Sequence, residues 1–77
     1  MKIVEVCWND AWATTDEITE EKAKSAKPVL TKTISYLVTD NEDGLVLATD
    51  IYPDDPKIGK MINFIPWEMI VKWEYLI

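Results

Sequence analysis

The chain has 77 residues, of which 48% are hydrophobic, and a formal charge of −6 from 14 acidic residues against 8 lysines. This length fits one domain with a single small core, and the apolar content excludes a wholly disordered chain. The acidic balance and the lack of arginine argue against nucleic-acid binding, because phosphate and base recognition depend on Lys and Arg. One cysteine and no histidine exclude an internal disulfide and a Cys/His zinc site.

Residues 2–8 predict a central strand, because both alternating sets of side chains are largely apolar. Val4, Val6 and Trp8 share one face, and Cys7 lies on the other, where we interpret it as a small buried side chain and not a reactive thiol. The run is too short for a secretory signal, and no stretch approaches the ~20 apolar residues of a membrane span. We therefore expect a cytoplasmic protein that does not enter a membrane.

Residues 14–26 predict a short surface helix inserted after the first strand. Thr14 and Glu17 have the spacing of a capping box, and the acids precede the lysines as the helix dipole favours. Trp12 and Ile18 are the expected anchors of this helix. Pro28 marks its end, since the residue before a proline is disfavoured in a helix.

Four more strands are predicted, at residues 29–39, 45–52, 60–65 and 70–76. Turn residues from Asp40 to Gly44 make the first two a hairpin. Pro66-Trp67-Glu68 separates the last two strands by about one turn, which predicts a 3₁₀ turn of the kind that closes small SH3-like and Sm-like barrels. The predicted fold is therefore mainly β. It is one domain, residues 1–77, forming an SH3-like or Sm-like barrel of about five antiparallel strands with one short helix after strand 1.

Four segments carry a resemblance to known proteins: VCWNDA at 6–11, TISYLV at 33–38, LVLA at 45–48 and FIPWEMI at 64–70. Together they resemble a group of short uncharacterised proteins found in bacteriophage and prophage genomes. The chain departs from that group at Ser35, where we expect the group to favour glycine. The resemblance implies a small β-barrel and a phage or bacterial source, with the host cytoplasm as the location if the gene is a phage gene. It implies no catalytic residue.

The polar residues predict no enzyme, no cofactor and no metal site. Without histidine, the usual serine and cysteine triads are unavailable. The acids at 40–43 and at 54–55 lack the ligand spacing of a calcium loop, and we interpret both groups as solvated turns. The two glycines fit no phosphate-binding loop.

Aromatic and lysine side chains supply the candidate contacts. Trp8 and Trp73 lie in alternating strands and are expected in the core, whereas Trp12 and Trp67 are open between packing and exposed contact. The lysines near the helix end either decorate a helix C-terminus or form a basic edge for a small anionic ligand such as a nucleotide. The candidate ligand or partner contacts are Trp12, Trp67, Tyr36, Tyr52, Lys24, Lys27 and Lys32. The candidate pairing edge is Val71, Trp73, Tyr75 and Ile77.

These patterns favour a non-enzymatic small binding module that self-associates into a homo-oligomer. One alternative is an anti-defence sponge that sequesters a small cyclic nucleotide signal between subunits. Another is an acidic inhibitor that mimics nucleic acid and docks on a host protein.

Overall fold

The computed structural model describes all 77 residues. The five strands are β1 (Ile3–Asp10), β2 (Val29–Asp40), β3 (Gly44–Ile51), β4 (Gly59–Pro66) and β5 (Ile70–Tyr75). One helix, α1, spans Glu20–Lys24, and one 3₁₀ turn, Trp67–Met69, joins β4 to β5. All five strands and the 3₁₀ turn are thus confirmed, with strand ends within two residues of the predicted ones.

The strands form one antiparallel sheet in the order β4-β3-β2-β1-β5. β1 pairs with both β2 and β5, which confirms the central position predicted for it. β4 and β5 are the edges, and each pairs with one neighbour only. Opposed residues in antiparallel strands place their side chains on the same face. The register therefore defines an inner face, which contains Val4 and Val6, and an outer face, which contains Ile3, Glu5 and Cys7.

The inner face holds the core. Its buried cluster is Val4, Val6, Leu37, Leu45, Leu47 and Ile65. Half-buried side chains close over this cluster, namely Trp8, Trp67, Met69, Ile70 and Trp73. The positions expected for Trp8 and Trp73 are therefore confirmed. Only 10 of the 77 residues are buried, so the loss of one large core side chain removes a large share of the free energy of unfolding.

The helix is shorter than the predicted range of 14–26. Its N-cap is Thr19, whose hydroxyl accepts the N–H of Lys22 at 3.2 Å. Thr14 instead accepts the N–H of Asp16 at 3.0 Å in a local turn, so the predicted capping box with Glu17 is wrong. The physical reason is that the run Glu-Glu-Lys-Ala-Lys after Thr19 contains only strong helix formers, whereas Ile18 and Thr19 are weaker ones.

The helix lies on the surface, as predicted, since none of its residues is buried. Ile18 is 46% exposed and does not anchor it. Of the two expected anchors, only Trp12 holds the segment. Its indole N–H donates a hydrogen bond to the Lys27 carbonyl oxygen. No helix of the protein has the length and apolar character needed to cross a membrane.

The turn between β2 and β3 is closed by Asn41. Its side-chain oxygen accepts the N–H of Asp43 at 2.8 Å and of Gly44 at 3.1 Å. Gly44 then lies against the end of β4, where a Cβ would collide with the Ile65 carbonyl oxygen and lie 2.8 Å from the Cα of Pro66. Glycine is therefore required by this close approach of two strands.

Ser35 is buried, and its hydroxyl donates to the Ala48 carbonyl oxygen at 2.7 Å. This bond links β2 to β3 next to the register pair of Tyr36 and Ala48. The buried hydroxyl of Ser35 thus has its hydrogen bond satisfied.

Candidate interaction surfaces

The outer side of β5 is a free strand edge. β5 pairs with β1 from Trp8 opposite Ile70 to Val4 opposite Tyr75, with a bulge at Val71, which has no partner residue on β1. The N–H of Leu76 donates to the Ile3 carbonyl at 2.8 Å. Hydrogen-bonded residues alternate along an antiparallel ladder, so the backbone N–H and C=O groups of Trp73 and Tyr75 point away from β1. No strand pairs with that side.

Two apolar side chains at this free edge are largely exposed to solvent. Val71 is 58% exposed and Tyr75 is 55% exposed, whereas Trp73 between them is half-buried. Ile77, the fourth residue of the predicted pairing edge, accepts the N–H of Ile3 with its carbonyl oxygen at 3.1 Å. Three of the four predicted edge residues therefore lie along the free side of β5, and Ile77 extends the pairing with β1.

Aromatic contacts fix Trp73 from both sides. Its ring lies 6.0 Å from that of Trp67 and 5.3 Å from that of Tyr75, the second in edge-to-face geometry. The ammonium group of Lys2 lies 5.9 Å from the centre of the Tyr75 ring. Such contacts restrict the rings, so the inner side of β5 is held in a defined position before any partner binds.

Trp67 belongs to the corner between β4 and β5. Its indole N–H donates to the Asn41 carbonyl at 2.8 Å, and its backbone N–H donates to the Asp43 carbonyl at 3.2 Å. The ring also packs against the core cluster. These bonds attach the 3₁₀ turn to the β2–β3 turn, so packing is the structural role of Trp67.

The other candidate contacts do not converge on one site. Lys24 pairs with Glu20 at 3.2 Å in the helix, and Lys32 pairs with Glu5 at 3.4 Å on the outer face. Lys27 meets Trp12 through its backbone carbonyl. Tyr52 lies in the loop after β3, where its N–H donates to the Ile58 carbonyl at 3.0 Å. Only Lys32 and Tyr36 of the set share the outer face of β2.

An apolar row crosses the outer face of four strands. Direct register pairs join Ile3 to Tyr36, Tyr36 to Ala48, and Ala48 to Ile62. Phe64, opposite Val46 and 50% exposed, extends the row along β4. Neither Ile62 nor Phe64 was among the predicted contact residues. Their alternation with Asn63 indicates that they share one face of a strand. Alternation alone does not show which face of the sheet is buried.

The outer face carries no net charge. Its charged side chains are the acids Glu5, Asp50 and Glu74 and the lysines Lys32, Lys60 and Lys72. The other 11 acids and 5 lysines, in loops, turns, the helix and strand ends, therefore carry the whole charge of −6. Lys32 pairs with Glu5 and Lys60 with Asp50, at 3.4 and 3.9 Å, whereas Lys72 and Glu74 have no ion pair within the chain.

The cavities of a single chain are small. One of about 80 Å³ is lined by Glu5, Cys7, Lys72, Trp73 and Glu74. Another of about 160 Å³ is lined by Ile3, Ile34, Ser35, Tyr36 and Thr49. Both are below the ~300 Å³ at which ordinary small-molecule pockets begin. Cys7 is buried and free, in agreement with its interpretation as a small apolar side chain.

Comparison of the chain with protein-family models, with curated proteins and with solved structures gives no match.

Proposed function

We propose that this protein is a non-enzymatic binding module that self-associates through the free edge of β5. The observation that carries the proposal is the difference between the two edges of its sheet. Unpaired strand edges attract other strands, and proteins that remain monomeric obstruct them with prolines, charges or distorted backbone.

The β4 edge is obstructed in this way. Met61, in the middle of β4, has a φ of 57°, which interrupts the extended backbone. Pro66 ends the strand and has no N–H to donate. Lys60 adds a charge near its beginning. These features leave only the short segment from Ile62 to Ile65 free for regular pairing with a second strand.

The β5 edge has no proline and no residue with positive φ, its bulge is confined to Val71, and its two charged residues, Lys72 and Glu74, have opposite signs. The outward backbone groups of Trp73 and Tyr75 are regular, and the aromatic contacts already hold their side chains. Pairing there would cover exposed apolar surface of Val71 and Tyr75. A domain of this size with a thin core gains stability from such association.

The non-enzymatic part of the proposal is supported by the use of the polar side chains. The Asn41 side chain closes the β2–β3 turn, and the Asp55 carboxylate accepts the N–H of Lys57 at 2.8 Å in the next loop. These groups build turns and do not face one another across a cleft. Binding is the remaining class for which the surface has suitable groups.

We further propose that the fold is a small SH3-like or Sm-like barrel. This proposal is supported by the strand order, by the 3₁₀ turn between β4 and β5, and by the attachment of that turn to the β2–β3 turn through Trp67. A small barrel of this kind is also what the resemblance to phage and prophage proteins implies.

Light scattering on the purified protein tests self-association. Between about 1 and 100 μM, the range of many weak homodimers, the mean mass should rise above 8.9 kDa with concentration. Tyr75→Pro should reduce assembly, because it removes an outward N–H without removing a bond to β1. Tyr75→Ala is the matched control: it loses the same ring but keeps the N–H, so it should reduce assembly less than Tyr75→Pro does. A constant monomer mass in the parent protein would refute the proposal.

A further inference from the structure

We infer that β5 pairs antiparallel with β5 of a second copy about a two-fold axis at Trp73, and that Lys72 and Glu74 determine this register. The inference rests on the proposed self-association and specifies the partner surface and its specificity residues. It follows from three observations on β5: the direction of its backbone groups, its exposed side chains, and its two charges without ion partners.

The symmetry of a homodimer restricts the register. In an antiparallel pair of identical strands, the two-fold axis passes through one residue position if the inner faces of both sheets are to remain on the same side. Trp73 has backbone groups that point to the free edge, so an axis there lets the two Trp73 residues exchange both N–H···O=C bonds. The result is a continuous ten-stranded sheet built from two five-stranded ones.

Charge selects this position among its neighbours. With the axis at Trp73, Lys72 of each copy lies opposite Glu74 of the other, which gives two ion pairs. An axis at Lys72 would place the two ammonium groups opposite each other, and an axis at Glu74 would do the same with two carboxylates. An axis at Tyr75 would leave both charges without partners and shorten the paired segment.

The geometry favours close contact between the opposed charges. Lys72 and Glu74 lie opposite Cys7 and Glu5, and their backbone N–H and C=O groups form hydrogen bonds with β1. Between the two copies they therefore form the non-hydrogen-bonded type of pair, in which the Cα atoms are about 4.5 Å apart and the side chains are closest. The same register sets exposed Val71, at the bulge of β5, opposite exposed Tyr75.

Reciprocal charge reversal tests the register. Lys72→Glu and Glu74→Lys each place like charges opposite each other at two symmetric positions, so each variant alone should dimerise about tenfold more weakly than the parent. An equimolar mixture of the two variants should recover dimer, because both pairs become attractive again. The double variant, with Lys72→Glu and Glu74→Lys in one chain, should also recover. Sedimentation velocity measures all four samples.

Two control variants distinguish an effect of this register from an effect of net charge. Lys57→Glu in the loop after β3 and Glu42→Lys in the β2–β3 turn change the net charge by the same amounts, and should leave the dissociation constant within about twofold. Circular dichroism verifies the fold of each variant, and all four positions are exposed. If the parent dimerises and the mixture stays monomeric, the register is wrong and self-association stands. If the parent is monomeric, both fail.

Discussion

Trp67 should make the largest contribution of any half-buried side chain to the stability of the corner between β4 and β5. We consider two substitutions. Trp67→Phe keeps a ring against Trp73 and the core but removes the indole N–H that donates to the Asn41 carbonyl. Trp67→Ala removes both the ring and the hydrogen bond.

The expected losses follow from these contacts. A hydrogen bond at a partly solvated carbonyl contributes about 1 kcal/mol, which is the expected cost of Trp67→Phe. A fully buried Trp costs ~3–5 kcal/mol on truncation to Ala, so the half-buried Trp67 should cost about 3 kcal/mol with its hydrogen bond. A domain of this size has only ~3–5 kcal/mol of unfolding free energy. Trp67→Ala should therefore be close to unfolded without denaturant.

Urea unfolding followed by far-UV circular dichroism measures both losses, at one protein concentration so that association affects all samples alike. Trp12→Ala is the matched control. It also removes an indole hydrogen bond, to the Lys27 carbonyl, but from a ring that is 48% exposed and outside the core cluster. It should cost less than about 1 kcal/mol. If Trp67→Ala costs no more than Trp12→Ala, the described role of the corner is wrong.

Five further substitutions, at four positions, test the sheet itself by the same unfolding measurement. Leu47→Ala, at a fully buried position, should cost ~2–5 kcal/mol. Leu30→Ala, at an outer-face position that is 67% exposed, should cost under about 0.5 kcal/mol. Equal losses would contradict the assignment of the two faces. Gly44→Ala should cost more than about 2 kcal/mol, because the new methyl group collides with backbone of β4, and a neutral result would refute that close approach. Ser35→Ala should cost about 1 kcal/mol, because it loses the hydrogen bond to the Ala48 carbonyl oxygen. Ser35→Gly should cost more, because glycine also loses more backbone entropy in a strand. The reverse order would show that the hydroxyl and Cβ are not stabilising there.

The strands could be predicted because their signals are local. Alternation in β1 identified Val4 and Val6 as one face, and both are fully buried. The Ile-Pro-Trp sequence predicted the 3₁₀ turn, since proline fixes the backbone at that point and ends the pairing of β4 with β3 at Gly44.

The helix was harder to place because capping signals occur more than once. Thr14 and Thr19 both precede acidic residues, and a short surface helix without buried side chains has no packing to select between them. The hydrogen bond from the Trp12 indole to the Lys27 carbonyl could not be predicted, because it joins two loop positions 15 residues apart.

The candidate contacts were predicted from residue type, which does not show where a residue lies in the fold. Lysines 24 and 32 form ion pairs with Glu20 and Glu5, which depend on the helix start and on the β1–β2 register. The pairing edge could be predicted as a segment, because the last strand is apolar. Its significance depends on the strand order, since a strand with neighbours on both sides has no free edge.

Amide hydrogen exchange at β5, followed by NMR in the parent protein, tests self-association through this edge most directly. In the monomer at low concentration, the outward amides of Trp73 and Tyr75 should exchange rapidly while that of Glu74, bonded to β1, is protected. As the concentration rises, protection at Trp73 and Tyr75 should increase in step with the mean mass. If the mass rises while these two amides remain unprotected, the protein assembles through another surface and the account is contradicted.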